Sequence, residues 1–222
     1  MQFPTTAPIA VVLDVPAGLI RFIAADRADA TVEVLPADAS KGRDVKAAEQ
    51  IAVGYTDGVL RIEAAQPKSR ILGNSGSVEV TVQLPAGSSV EAKTAAADLR
   101  GVGRLGDVTF EGAQGTVKLD ETAAARLTLQ AGDIAVGRLG GAAQITTSKG
   151  GIRIAEAMGG TVVLRTEAGD LEVGAARGVS ATLDAGTSYG RIRNTLQNSA
   201  GAKAGLNIQA TTAYGDITAR SL

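Results

Sequence analysis

One short phrase recurs through the second half of this 222-residue chain, and it restricts the folds open to it. A glycine-phase position falls at Ala97, Gly115, Gly132, Gly150, Gly169, Gly190 and Gly215, at spacings of 18, 17, 18, 19, 21 and 25 residues. Two residues beyond it stand Leu99, Val117, Ile134, Ile152, Leu171, Ile192 and Ile217, aliphatic in every copy. Four beyond come Leu119, Val136, Ile154 and Val173; five before come Phe110, Leu127, Ile145 and Leu164. This is the period-2 alternation of a half-buried strand, and no window sustains a 3.6-residue period. Copies of 17 to 19 residues are too short for a strand plus a crossover helix. They suit one turn of a parallel β-solenoid, in which the equivalent residue of the next copy lies about 4.8 Å along the axis. The aliphatic column then becomes the core, and glycine supplies the positive φ that tight corners need.

The residue after the glycine reads Asp98, Thr116, Asp133, Gly151, Asp170, Arg191, Asp216. Aspartate tolerates such turns and hydrogen-bonds nearby backbone. In chain order it occupies alternate coils, with Arg191 between Asp170 and Asp216, so the column is read as a structural turn ladder of spaced charges. A calcium site is the first alternative, but the glycine-rich nonapeptide of calcium-binding β-rolls is missing. The second is a glycan-cleaving carboxylate pair, since alternate coils set carboxylates roughly 10 Å apart, close to the range of inverting glycosidases. The turn reading is preferred, with no metal and no cofactor. Tyr189 and Tyr214 each precede the phase glycine in the last two copies. If those coils are neighbours the rings stack. Exposed, they form a platform for a sugar face or a partner chain; buried, they cap the last coil, and the cap is the favoured reading.

Composition removes several chemistries. The chain has no histidine and no cysteine, which takes away the usual general base, the commonest metal ligand and every thiol. Net charge is −1, with no basic excess for nucleic acid. Gly101 to Gly106 fits G-x-G-x-x-G and Gly186 to Gly190 fits G-x-S-x-G, yet strand-like sequence follows the first and no histidine exists to serve the second. The N-terminus shows no signal-peptide pattern and no stretch approaches the roughly 18 apolar residues of a membrane span, so a cytoplasmic protein without membrane insertion is expected.

Residues 1–89 do not follow the repeat spacing but are β in pattern. Strands are expected at Ile9 to Val15, Leu19 to Ala24, Thr31 to Leu35, Ile51 to Tyr55, Val59 to Ala64 and Val78 to Leu84. Thr56-Asp57-Gly58 is a hairpin signal, Asp38 to Gln50 suits a short helix or a charged loop, and Gln66 to Ser77 reads as a loop. An open terminal coil needs covering, and residues 1–89 are the natural cap for residues 90–222. Asn194 to Gly205 is a polar insertion in the last interval.

The stretch SVEVTVQLPAGSSVEAKTAAADL (Ser77 to Leu99), with LQAGDIAV, LRTEAGDLEV and TTAYGDITA, resembles the bacterial putative-adhesin family of β-strand-repeat proteins over nearly the whole chain. The resemblance implies an adhesin-like binding protein; many members are exported or anchored, which leaves envelope association open, and it brings no catalytic residues. The expectation is an all-β protein: a right-handed parallel β-solenoid of about seven coils over 90–222, about 30 to 35 Å long from the strand spacing. Its expected function is a non-catalytic binding or scaffolding module for an unknown protein or glycan partner. The alternatives are a carbohydrate-active β-helix enzyme using turn carboxylates, and a protein that self-assembles into homo-oligomers through its terminal coils.

Overall fold

A computed structural model describes residues 1–5, 7–65 and 76–222. Most of the loop expected between Gln66 and Ser77 lies outside the described residues. Strands dominate and pair mostly in parallel in a sheet that is not closed. The first half contributes β1 (Gln2–Pro4), β2 (Ala10–Asp14), β3 (Ala17–Ala25), β4 (Asp29–Pro36), helix α1 (Gly42–Glu49), β5 (Ile51–Thr56), β6 (Val59–Ala64), β7 (Val78–Pro85) and β8 (Ser89–Lys93). Two long strands follow, β9 (Ala96–Gln114) and β10 (Val117–Ala131). The remainder is β11 (Ile134–Leu139), β12 (Ala143–Lys149), β13 (Ile152–Ala157), β14 (Gly160–Ala168), β15 (Leu171–Ala175), β16 (Ala181–Tyr189), β17 (Ile192–Thr195), β18 (Leu206–Tyr214) and β19 (Ile217–Ser221).

Two parallel ladders emerge from the pairing. One runs β7, β3, start of β9, start of β10, β11, β13, β15, β19, β17. The other runs β6, β2, β8, end of β9, end of β10, β12, β14, β18, β16. A rung is one strand of the second ladder followed, across a glycine corner, by one of the first. Between the ladders lies the core. The residue two past the corner glycine is almost completely buried at Leu99, Val117, Ile134, Ile152, Leu171 and Ile217, and Phe110, Leu127, Ile145 and Leu164 are buried with it. At Gly101, register partner of Phe22, the space a side chain would take is filled by Leu105 and Leu119.

Rung order departs from chain order at both ends. Residues 206–221 lie between 160–175 and 181–195, because β18 pairs with both β14 and β16, and β19 with both β15 and β17. Residues 10–25 lie likewise between the β6–β7 rung and the β8–β9 rung. The chain passes over one rung between β15 and β16, and the 25-residue interval before Gly215 contains its return to the place left open. At the first end the parallel order gives way to antiparallel pairs, β7 with β4, β4 with β1, and β6 with β5. The β5–β6 hairpin turns on Asp57 and Gly58, both with positive φ, as the Asp-Gly signal requires. Helix α1 packs on β4 and β7 beside them.

Glycine is required at the corners by proximity as well as by φ. A Cβ built on Gly132, whose φ is 138°, would fall inside the Gly115 carbonyl of the neighbouring rung, and Gly115, Gly150, Gly169 and Gly215 stand in the same relation to theirs. Gly132→Ala is therefore expected to cost at least about 3 kcal/mol, since the backbone itself must shift. Gly186→Ala, on β16 with open space around it and no positive φ, should stay within about 0.5 kcal/mol of the parent. Urea melts of the two variants check the contrast.

Candidate functional site: the glycine corner and its exposed tyrosines

The aspartates after the glycine form a column, and each carboxylate reaches to the next rung. Asp98 Oδ1 accepts the Thr116 N–H at 2.8 Å and its hydroxyl at 2.8 Å, and Asp133 Oδ1 accepts the Gly151 N–H at 2.7 Å. Asp170 Oδ1 accepts the Asp216 N–H at 2.7 Å, and Asp216 Oδ1 accepts the Arg191 N–H at 2.9 Å. These bonds satisfy corner amides, which explains aspartate here better than charge spacing does. Spaced charges are in fact contradicted at the end of the column. Asp170 and Asp216 are on adjacent rungs, and Arg191 lies beyond Asp216 rather than between the two, because the last rungs exchange places. The donated amide offsets the repulsion between the neighbouring carboxylates.

Sequence inspection overlooked a second column, three residues before the glycine. Thr166, Thr212 and Thr187 donate their hydroxyls to the corner carbonyls of Gly150, Gly169 and Gly215, each at 3.1 Å, and Thr147 donates to Gly132 at 3.4 Å. Buried hydroxyls on the neighbouring rung's carbonyl lock the register. The recurrence of threonine at that phase was visible in the chain. Residues 10–25 were also missed as a copy, since Gly18 has the corner φ and contact but is followed by Leu19 rather than aspartate.

Tyr189 and Tyr214 are register partners one residue before the corner glycines. Their rings stack in parallel, with centroids 5.0 Å apart and planes 3° apart. They are 68% and 60% exposed, so the favoured reading of a buried cap is overturned: the residue before the glycine points out of the corner, not into the core. Beyond Tyr214 in the same column come Ala168 and then Lys149. A small residue thus separates the outer face of the aromatic pair from an ammonium. Asp170, Asp216 and Arg191 stand two positions further along, on the other side of the corner.

Elsewhere the surface offers weaker sites. A shallow concavity of about 570 Å³ is lined by Glu91, Asp107, Arg126 and Gln144 over Ala124 and Ala142, and a second of about 690 Å³ by Arg138, Glu156, Met158 and Leu222. Arg104, Glu121, Arg138 and Glu156 pair in register with alternating sign, and the Glu156 carboxylate, 2.9 Å from Arg138, raises the guanidinium pKa. Such exposed pairs are screened by solvent and act mainly on register. At the opposite end the Ser40 hydroxyl, Lys41 and the Ser40 amide hold the Asp38 carboxyl down at about 2, and the Arg27 guanidinium lowers Asp29. Among the described residues no group of three or more acidic side chains is placed to hold a metal ion, and no helix is long and apolar enough to cross a membrane. The G-x-G-x-x-G run lies within β9, where Gly101 faces Leu119 and Gly103 has a φ of 79° against the Ala24 carbonyl; G-x-S-x-G ends β16 at a corner. Neither precedes a helix.

Parallel rungs stacked on a glycine corner define a β-strand-repeat protein. The chain belongs to the Toastrack DUF4097 family, which it matches over residues 10–221. Among solved structures it is similar to one described as a putative adhesin from Parabacteroides distasonis, with 14% identity, a TM-score of 0.51, and coverage of 98% of this chain and 95% of that one. A putative adhesin from Bacteroides fragilis follows at 12% identity and TM-score 0.47, covering 99% and 95%. One described as a putative lipid binding protein from Parabacteroides distasonis has 12% identity and TM-score 0.43, covering 98% and 95%. No curated protein matches the chain.

The aspartate contacts yield a direct test. Asp216→Ala is expected to speed hydrogen exchange of the Arg191 amide at least about tenfold, the equivalent of losing one such bond. Exchange at Val117, remote from the substitution, should not change.

Proposed function

We propose that the chain is a non-catalytic binding module, built as a right-handed parallel solenoid whose rungs include residues 10–25 and the strands 59–64 and 78–85 as well as the seven copies evident in sequence, and that it holds a carbohydrate at the Tyr214–Tyr189 corner. The observation that carries this reading is the exposed, parallel tyrosine pair. Large aromatic faces are ordinarily buried, and two held rigidly in the open by adjacent corners offer a preformed apolar plane. The outer face of Tyr214 looks over Ala168, which leaves room for a flat sugar ring. Lys149 beyond it and the carboxylates of Asp170 and Asp216 across the corner supply partners for hydroxyls. A ring bound this way touches one aromatic face and a few polar groups, so affinity should be modest, with Kd on the order of 0.1–1 mM.

Against a catalytic reading, the carboxylates of the corner column are engaged with backbone amides. With no tryptophan in the chain, emission comes from three tyrosines, two of them at the corner, and a Tyr55→Phe background confines it to those two. Titration with neutral and acidic oligosaccharides is expected to change that emission saturably for at least one sugar, and Tyr214→Ala should abolish the change without lowering Tm by more than about 2 °C. Unchanged emission up to about 10 mM sugar across the panel overturns the carbohydrate assignment.

A further inference from the structure

The two ends of the stack are built differently. One is closed by β4, β1, β5 and helix α1. At the other, among the described residues, β16 and β17 form ladders on one side only, with β18 and β19, and the first outer amide of β16, that of Ala181, donates to the Gln197 carbonyl. Beyond Leu196, which packs against it, the core is left open there. Ile192 occupies the position buried to 2% exposure or less in the six other copies, yet is itself 45% exposed, and Leu183, Ala185 and Leu196 beside it are half-buried. Sequence periodicity assigned Ile192 to the core; the terminal place of its rung overrules that. Unpaired strand edges over an open apolar section are what folded proteins ordinarily cover.

We infer that this end is an interface, occupied by a second copy of the chain in a closed two-fold dimer. A two-fold axis perpendicular to the stack sets each edge strand antiparallel to an edge strand of the other copy, so the unpaired amides and carbonyls find partners without any rearrangement. The section is large enough. Nine residues of β16 span about 30 Å, and two sheets with their side chains about 20 Å, giving about 600 Å² per copy and about 1,200 Å² in all, the lower bound of a stable specific interface. Charge does not oppose the contact: the chain carries net −1, and the rung mixes Asp184 with Arg191 and Arg193. Because antiparallel strands and α1 lie over the core at the opposite end, each copy has one open apolar section, and a two-fold contact through it closes at two rather than growing into a fibre. This inference goes beyond the carbohydrate reading and does not depend on it.

Sedimentation velocity from about 1 to 100 μM tests it, a range that brackets the affinity such an area supports. The expected mass is twice the 22.3 kDa of the chain. Ile192→Lys places a charge in the contact and should weaken dimerisation at least about 100-fold, while Ile192→Val keeps it. Since Ile192 is already half exposed, the lysine variant should melt with the parent's monomer. Leu35→Lys, equally exposed near the covered end, should leave the dimer intact. A monomer mass throughout overturns the inference, as does a mass that keeps rising with concentration, or an Ile192→Lys protein that still dimerises.

Discussion

Everything in this fold rests on how closely one corner passes over the next. At Gly115, Gly132, Gly150, Gly169 and Gly215 the neighbouring corner carbonyl occupies the space a Cβ would fill, so these rungs settle at strand spacing because that atom is missing. From this contact the rest follows. Threonine hydroxyls reach the same carbonyls, aspartate carboxylates reach the next amide, and the aliphatic side chains two residues on are brought into one continuous column. Few of these bonds is strong alone. Their repetition at a fixed offset makes a shift of register costly, since a slip of one residue would break every column together.

Much of the fold is legible in the chain because each rung repeats the same local requirement. Aliphatics at a constant offset from glycine give the core, and Asp57-Gly58 gives the hairpin, both being decided by neighbouring residues. Rung order is another matter. Nothing in the local chemistry of 206–221 says that it lies between 160–175 and 181–195; only long-range pairing decides it, and the sole trace in sequence is a spacing of 25 residues where others are 17 to 21. That exchange is why the Asp170–Arg191–Asp216 order read from the chain is wrong while the Tyr189–Tyr214 neighbourhood survives: the two last copies touch whichever of them is outermost. Exposure of Ile192 was illegible for a related reason. Periodicity reports which way a side chain points relative to its strand, not whether another strand lies beyond.

Corner and end therefore obey different rules. Along the stack every exposed position belongs to a column, and any ligand must read several rungs at once. At the β16–β17 edge the columns stop, leaving an apolar section and free backbone groups in one place. The tyrosine pair sits where the two meet, with one ring on the final rung and the other on the rung beneath it.

The exchanged rungs also constrain how the chain can fold. A stack whose rungs followed the chain could zip from one end, each new strand finding its neighbour already laid. Here 181–195 has nothing to dock on until 206–221 is seated, and 10–25 waits for segments up to 103. A rung near each end is thus kept in suspense while distant segments arrive, a high-contact-order arrangement that slows assembly. Once formed, the same arrangement acts as a clasp: β2–β3 and β18–β19 are each gripped on both sides, so releasing either must pull a strand from between two others.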